Sequence, residues 1–215
     1  MSQVGARMAK KQSYRRYTDL PSLVAMLSQG QITLLDPASW DDKNDSFFLS
    51  TYKEKKSLNS VLALCFTTAS ETYHHWRVFS SGPAGICIHF KPSALENAFR
   101  KQKVQFKKVN YLKVDQLQKN PPTIPKLPFI KRFPFRAERE FRALWESKSE
   151  IRDYLAVEID LGSITRITLS PWLHPNLREN MVALLKSIDG CKSIPVYRST
   201  LTGDPTWQSY GRKAT

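Results

Sequence analysis

The chain predicts an α+β fold, with mixed and largely antiparallel central sheets flanked by helices, and three observations lead there. Short apolar or alternating segments recur from Tyr14 to Tyr197, and a few segments of helical spacing are scattered among them. The two kinds do not keep the strand–helix–strand rhythm of a parallel sheet. A length of 215 residues fits one domain able to bury its own core. The expected division is a flexible basic N-terminus (1–12), a single catalytic-type domain (13–200) and a polar C-terminal tail (201–215).

Taken in order, Ser13-Tyr14-Arg15-Arg16-Tyr17 alternates as a strand. Asp19-Leu20-Pro21 then opens a helix with Leu20, Leu23, Val24 and Leu27 on one side and Gly30 at its end. Gln31 to Leu35 is a second strand. Asp36 to Ser46 is dense in turn formers and reads as a loop, in which Trp40 is a packing anchor or part of a binding wall. Val61 to Thr67 and Ala84 to Phe90 are continuous apolar runs, the mark of buried strands. Between them Tyr73 to Phe79 makes one or two helical turns. Pro92 to Lys103 is an amphipathic helix, and Val104 to Tyr111 returns as a strand. Prolines from Asn120 to Pro128 exclude a sheet interior. Glu138 to Trp145, Tyr154 to Leu161, Ile164 to Leu169 and Ile194 to Tyr197 are further strands, with a helix from His174 to Ile188 before the last.

Composition narrows the function classes. Cys65, Cys87 and Cys191 are an odd, widely spaced set, reading as reduced residues of a cytoplasmic protein rather than a disulfide framework or zinc site. No apolar run is long enough for a membrane span, and Met1 to Lys11 lacks the apolar core of a secretory signal. The net charge of +14 is concentrated: residues 100 to 142 hold thirteen Lys or Arg against Asp115, Glu138 and Glu140. Such a belt suits nucleic acid, an anionic small molecule or an acidic partner.

That belt runs into Glu138-Arg139-Glu140-Phe141-Arg142, which as a strand puts Glu138, Glu140 and Arg142 on one face. Paired carboxylates in a basic protein point to cationic chemistry or a cationic ligand, although alternating charge on an exposed strand is the plainer explanation. Arg16 on the first strand can grip a phosphate or carboxamide through its planar fork. Thr67 and Thr68, closing a central strand, can orient a neighbouring carboxylate. Phosphate-binding glycine loops, dinucleotide fingerprints and nucleophile elbows are absent from the sequence. His74-His75 lacks zinc-helix spacing, and Asp41, Asp42 and Asp45 read as turn formers, so no metal site is expected.

The order of arginine, hydroxyl strand (Cys65-Phe66-Thr67-Thr68-Ala69-Ser70) and Glu-x-Glu strand resembles the ADP-ribosyltransferase superfamily, which uses NAD as a substrate. Tyr14-Arg15-Arg16-Tyr17, the following helix with Gly30, Pro37-Ala38-Ser39-Trp40-Asp41-Asp42, Ala63-Leu64-Cys65-Phe66-Thr67, Trp76, Gly85 to Phe90 and Glu138 to Arg142 together resemble the bacterial family catalogued as domain of unknown function 2971. The chain departs from that family at Trp40 to Asp45, where a compact Asn-Asp-Pro turn is usual.

These resemblances imply an NAD-consuming enzyme, a transferase or a glycohydrolase, with NAD as co-substrate and no tightly bound cofactor. Arg16 would hold the pyrophosphate, while Tyr17, Trp40 or Trp76 stacks on nicotinamide. Glu140 would stabilise an oxocarbenium-like ribose, Glu138 would position or deprotonate a protein or nucleic-acid acceptor, and Thr67 or Thr68 would orient Glu140. The alternative is a nucleic-acid-binding or nuclease-like module without NAD chemistry. In it Lys101, Lys103, Lys107, Lys108, Lys131 and Arg132 track DNA or RNA phosphates. The oligomeric state is not legible in the sequence.

Overall fold

The protein is described by a computed structural model covering residues 13–214, so the expected N-terminal segment 1–12 lies outside the described residues. In chain order the elements are β1 (Tyr14–Asp19), α1 (Leu20–Gln29), β2 (Gln31–Leu35), α2 (Lys43–Lys55), β3 (Ser60–Thr67), α3 (Tyr73–Phe79), β4 (Gly85–Phe90), α4 (Pro92–Lys101) and β5 (Gln105–Lys108). There follow β6 (Asn110–Leu112), α5 (Val114–Lys119), β7 (Ile130–Arg132), β8 (Glu140–Ser147), β9 (Tyr154–Glu158), β10 (Ile164–Leu169), α6 (Arg178–Ser187), β11 (Val196–Arg198) and α7 (Pro205–Arg212). The expected α+β class with a largely antiparallel sheet is what the structure shows. Among the described residues nine strands form one sheet, parallel only at β10–β11, and β6–β7 form a small parallel pair.

The sheet divides at β3. One edge of β3 pairs along its whole length with β8, from Ser60↔Ser147 to Thr67↔Glu140. Its other edge is shared, β1 joining at Arg15↔Thr67 and β2 at Leu35↔Ala63. One branch continues through β4, β10 and β11, and the other through β9. The face carrying Leu64, Phe66, Ile88, Phe90 and Ala143 packs on α1 and α4 through Leu23, Leu27, Leu95 and Phe99, which makes the main core. The alternate residues face the other way, and there the polar groups collect.

Three expectations change. Lys43–Lys55 is a helix, not a continuation of the loop, because Asp42 caps it by accepting from the Asn44 and Asp45 backbone N–H groups. The segment expected as a polar tail carries α7, capped by Asp204. Glu138 ends a 3-10 turn (Phe133–Glu138) rather than opening the strand, since Arg139 takes a left-handed conformation with φ 45° before β8 begins at Glu140. No helix among the described residues is long and apolar enough to cross a membrane.

Candidate active site

Strand register assembles the site. Thr67 of β3 lies opposite Glu140 of β8, and Cys65 lies opposite Arg142. Side chains of such partners share a face. Arg142 is fully buried, and its charge is satisfied on every side: Nη1 and Nη2 donate to the two Asp45 carboxylate oxygens at 2.8 and 2.6 Å, Nε donates to Glu140 at 2.8 Å, and Nη1 also reaches the Pro128 carbonyl at 2.8 Å. The Trp40 ring covers the guanidinium at 4.9 Å. The helix that sequence reasoning missed is thus what delivers Asp45.

Lys131 of β7 closes the cluster. Its ammonium stands 2.7 Å from Glu138, 3.5 Å from Glu140 and 3.8 Å from Asp45. Burial opposes the charge on Glu140, yet Arg142 and Lys131 hold its carboxyl below the usual range. Burial raises Glu138 instead, with Lys131 opposing. The two glutamates are therefore inequivalent: Glu140 is a fixed anion, and Glu138, whose other oxygen is 3.9 Å from the half-exposed His74, is the better proton acceptor. Beside Lys131 and Asp45 opens a cavity of about 380 Å³, lined also by Asn44, Phe48, Leu112 and Arg132.

The hydroxyls play a different part from the one expected. Thr67 donates to the Glu138 carbonyl and Thr68 to the Arg139 carbonyl at 3.3 Å, so both fix the turn before β8 rather than the Glu140 carboxylate. Tyr111 accepts from the Glu140 backbone N–H at 2.8 Å and completes the clamp.

Arg16 requires a correction. It lies opposite Ile88 in β4, on the face away from Thr67 and Glu140, and donates to the Cys65 carbonyl at 3.4 Å across the division between β1 and β2. Arg15, one residue earlier, is the arginine in line with Thr67 and Glu140. A period of two makes neighbouring arginines point oppositely, and an Arg-Arg pair does not say which faces the site. Trp76 is fully buried, donating to Glu71 at 2.6 Å, and the Tyr17 ring stacks on His75 with Trp76 edge-on to it, so protein takes the aromatic faces that nicotinamide was expected to use; Trp40, half-buried, is the ring of the three beside the carboxylates. Lys131, expected on nucleic acid, is consumed by the carboxylates, whereas Lys101, Lys103, Lys107, Lys108 and Arg132 are exposed. No group of three metal-binding side chains occurs among the described residues.

The described residues also predict an acid response. His89, buried between Arg15 and Arg166, is pushed down to about 3 by burial first and then by Arg166 and Arg15. The unfolded chain binds this proton near pH 6.5, so the contribution of His89 to stability is complete above that pH and is lost as pH falls toward 3. Thermal melts of wild type should decline across this window more steeply than those of His89→Gln. Parallel pH curves for the two proteins would contradict the assignment.

No family model matches the chain, and no curated protein matches it, so the resemblance to domain of unknown function 2971 rests on the motifs alone. Among solved structures it is similar to Thermus sp. 2.9 DarT in complex with NAD+, at 10% identity over 89% of this chain and 96% of that chain, TM-score 0.45. The same protein in complex with carba-NAD+ gives 10% identity over 89% and 97%, and in complex with ADP-ribosylated ssDNA 10% over 89% and 95%, each with TM-score 0.44.

Proposed function

We propose that the chain is an NAD-consuming, ADP-ribosyltransferase-like enzyme with a nucleic-acid or protein acceptor, working in a cytoplasmic setting in keeping with three free cysteines. The observation that carries this reading is the register Arg15–Thr67–Glu140, which sets the arginine, hydroxyl and Glu-x-Glu strands side by side on one face. Glu140, kept ionised in a water-poor setting by Arg142 and Lys131, is suited to stabilise positive charge developing on the ribose as nicotinamide leaves. Glu138 is suited to take the acceptor's proton. The test is incubation with labelled NAD and detection of released nicotinamide and of label on single-stranded DNA or protein; no release with any acceptor would refute it.

A second reading, a nucleic-acid-binding module without NAD chemistry, is favoured by one observation: Glu138 and Glu140 are already ion-paired, as purely structural carboxylates would be. The second reading, and the first where the acceptor is nucleic acid, expect nucleic-acid binding through the exposed Lys101, Lys103, Lys107, Lys108 and Arg132. Fluorescence anisotropy on a single-stranded oligonucleotide should give an affinity falling with salt by a log–log slope of about −0.7 per phosphate contact. Neutralising Lys107 and Lys108 together should flatten that slope by roughly 1.4. Absence of binding at low salt would assign the belt to an acidic protein or a small anion.

A further inference from the structure

A buried base that takes a proton must also lose it, and Glu138 has little contact with water. Its side chain is 6% exposed. Oε2 is held by Lys131 of β7 at 2.7 Å, while Oε1 turns toward α3, where His74 Nε2 stands 3.9 Å away. The His74 side chain is 52% exposed. Among the described residues it is the ionisable side chain within 4.0 Å of this carboxylate that also reaches solvent.

The other ionisable neighbours cannot pass a proton on. Burial opposes the charge on Lys131, yet Glu140 and Glu138 hold its ammonium protonated, and an ammonium has no site to accept. Glu140 and Asp45 are buried and committed to Arg142. Burial also raises the Tyr111 hydroxyl, which keeps its proton. His75 is buried, with Nδ1 on Thr72 Oγ1 at 2.5 Å and Nε2 facing the Glu138 backbone carbonyl at 3.5 Å rather than the carboxylate.

The position of His74 is fixed by its helix. Trp76 is fully buried and bonded to Glu71, Thr72 caps α3 by accepting from the His75 N–H at 3.2 Å, and the Phe79 ring lies edge-on to the His74 imidazole at 6.0 Å. Successive helical residues diverge by about 100°, so His75 packs beneath the turn before β8 while His74 stands at its rim. The histidine pair that lacked zinc spacing thereby divides into a buried support and an exposed base.

We infer that His74 relays the acceptor's proton from Glu138 to solvent. The inference rests on Glu138 acting as the base of an NAD-consuming enzyme. As the C1′–N bond of NAD breaks, its electron pair passes to the nicotinamide ring and neutralises its charge. The acceptor's oxygen or nitrogen bonds to C1′ and gives its proton to Glu138 Oε1. His74 Nε2 takes that proton and the imidazole releases another from Nδ1 to water, which returns Glu138 to its ionised form. A gap of 3.9 Å is closed by one bridging water or by the tightening that accompanies substrate binding. His74 touches neither NAD nor acceptor in this scheme; it acts through Glu138.

A relay resets the enzyme, so its loss slows later turnovers far more than the first. The experiment measures nicotinamide release from NAD, with water, a single-stranded oligonucleotide or protein as acceptor, once with enzyme in excess and once in steady state. His74→Gln keeps a hydrogen-bond donor for Oε1 but cannot carry a proton, and its kcat should fall roughly a hundredfold, the lower end of the range for general acid–base groups. Imidazole added to His74→Ala should restore kcat in proportion to its concentration, whereas pyrazole, of the same shape but a far weaker base, should not. Glu138→Gln should respond to neither. Both His74 variants alter a half-exposed side chain, and melting curves check that they are folded. An unchanged kcat in His74→Gln, or first and later turnovers slowed equally with no response to imidazole, overturns the relay and leaves the enzyme reading intact. A wild-type protein that releases no nicotinamide with any of the three acceptors overturns both.

Discussion

Arg142→Met should cost about 3–5 kcal/mol of folding stability, the scale for breaking a buried ion pair by removing one partner. The side chain is wholly buried, so nothing but protein compensates Asp45 and Glu140 once the guanidinium is gone. Lys131 cannot replace it, since it already serves Glu138 and stands 3.5 to 3.8 Å from the other two carboxylates. Burial opposes the Arg142 charge, and Glu140 and Asp45 hold it firmly protonated. The exposed pair Arg152–Glu150 supplies the contrast: both side chains are nearly half in solvent, and breaking it should cost under about 1 kcal/mol. Urea unfolding of the two variants measures the difference. A loss below about 1 kcal/mol for Arg142→Met would mean that water reaches Asp45 and Glu140, and the water-poor character of the site would go with it.

Much of this frame was legible because strands announce themselves by period and apolarity. Val61 to Thr67 and Ala84 to Phe90 became β3 and β4 with every β4 residue buried, and Asp19, Pro21 and Gly30 bounded α1 as their chemistry requires. What failed was information that lies between segments. Asp42 is as good a turn former as a helix cap, and α2 has little apolar periodicity because its buried polar residue, Asp45, faces an arginine 97 positions away. The charge belt from residue 100 to 142 was visible as composition, but not that Lys131 within it would turn inward. Arg15 and Arg16 are equivalent in a one-dimensional reading. Only the pairing Arg15↔Thr67 separates them.

Glu140→Gln should lower NAD turnover by roughly two to three orders of magnitude, the scale for losing a preorganised electrostatic group. Glutamine keeps the shape and one acceptor oxygen for Arg142 Nε, so the geometry set by Asp45 and the Pro128 carbonyl should hold. What disappears is the negative charge that would face the developing ribose cation, an interaction absent from the ground state. The loss should therefore fall on kcat, with NAD affinity changing much less. Some stability will go too, because Lys131 and Arg142 then share one carboxylate fewer; assays well below the variant's melting temperature keep the two effects apart. Glu138→Gln should instead impair transfer to the acceptor more than nicotinamide release, since its part begins with the acceptor's proton. A fully active Glu140→Gln enzyme would leave NAD consumption standing and move the charge-stabilising role elsewhere on that face, whereas a wild-type protein that releases no nicotinamide with any acceptor would leave the buried carboxylates as partners of Lys131 and Arg142 alone.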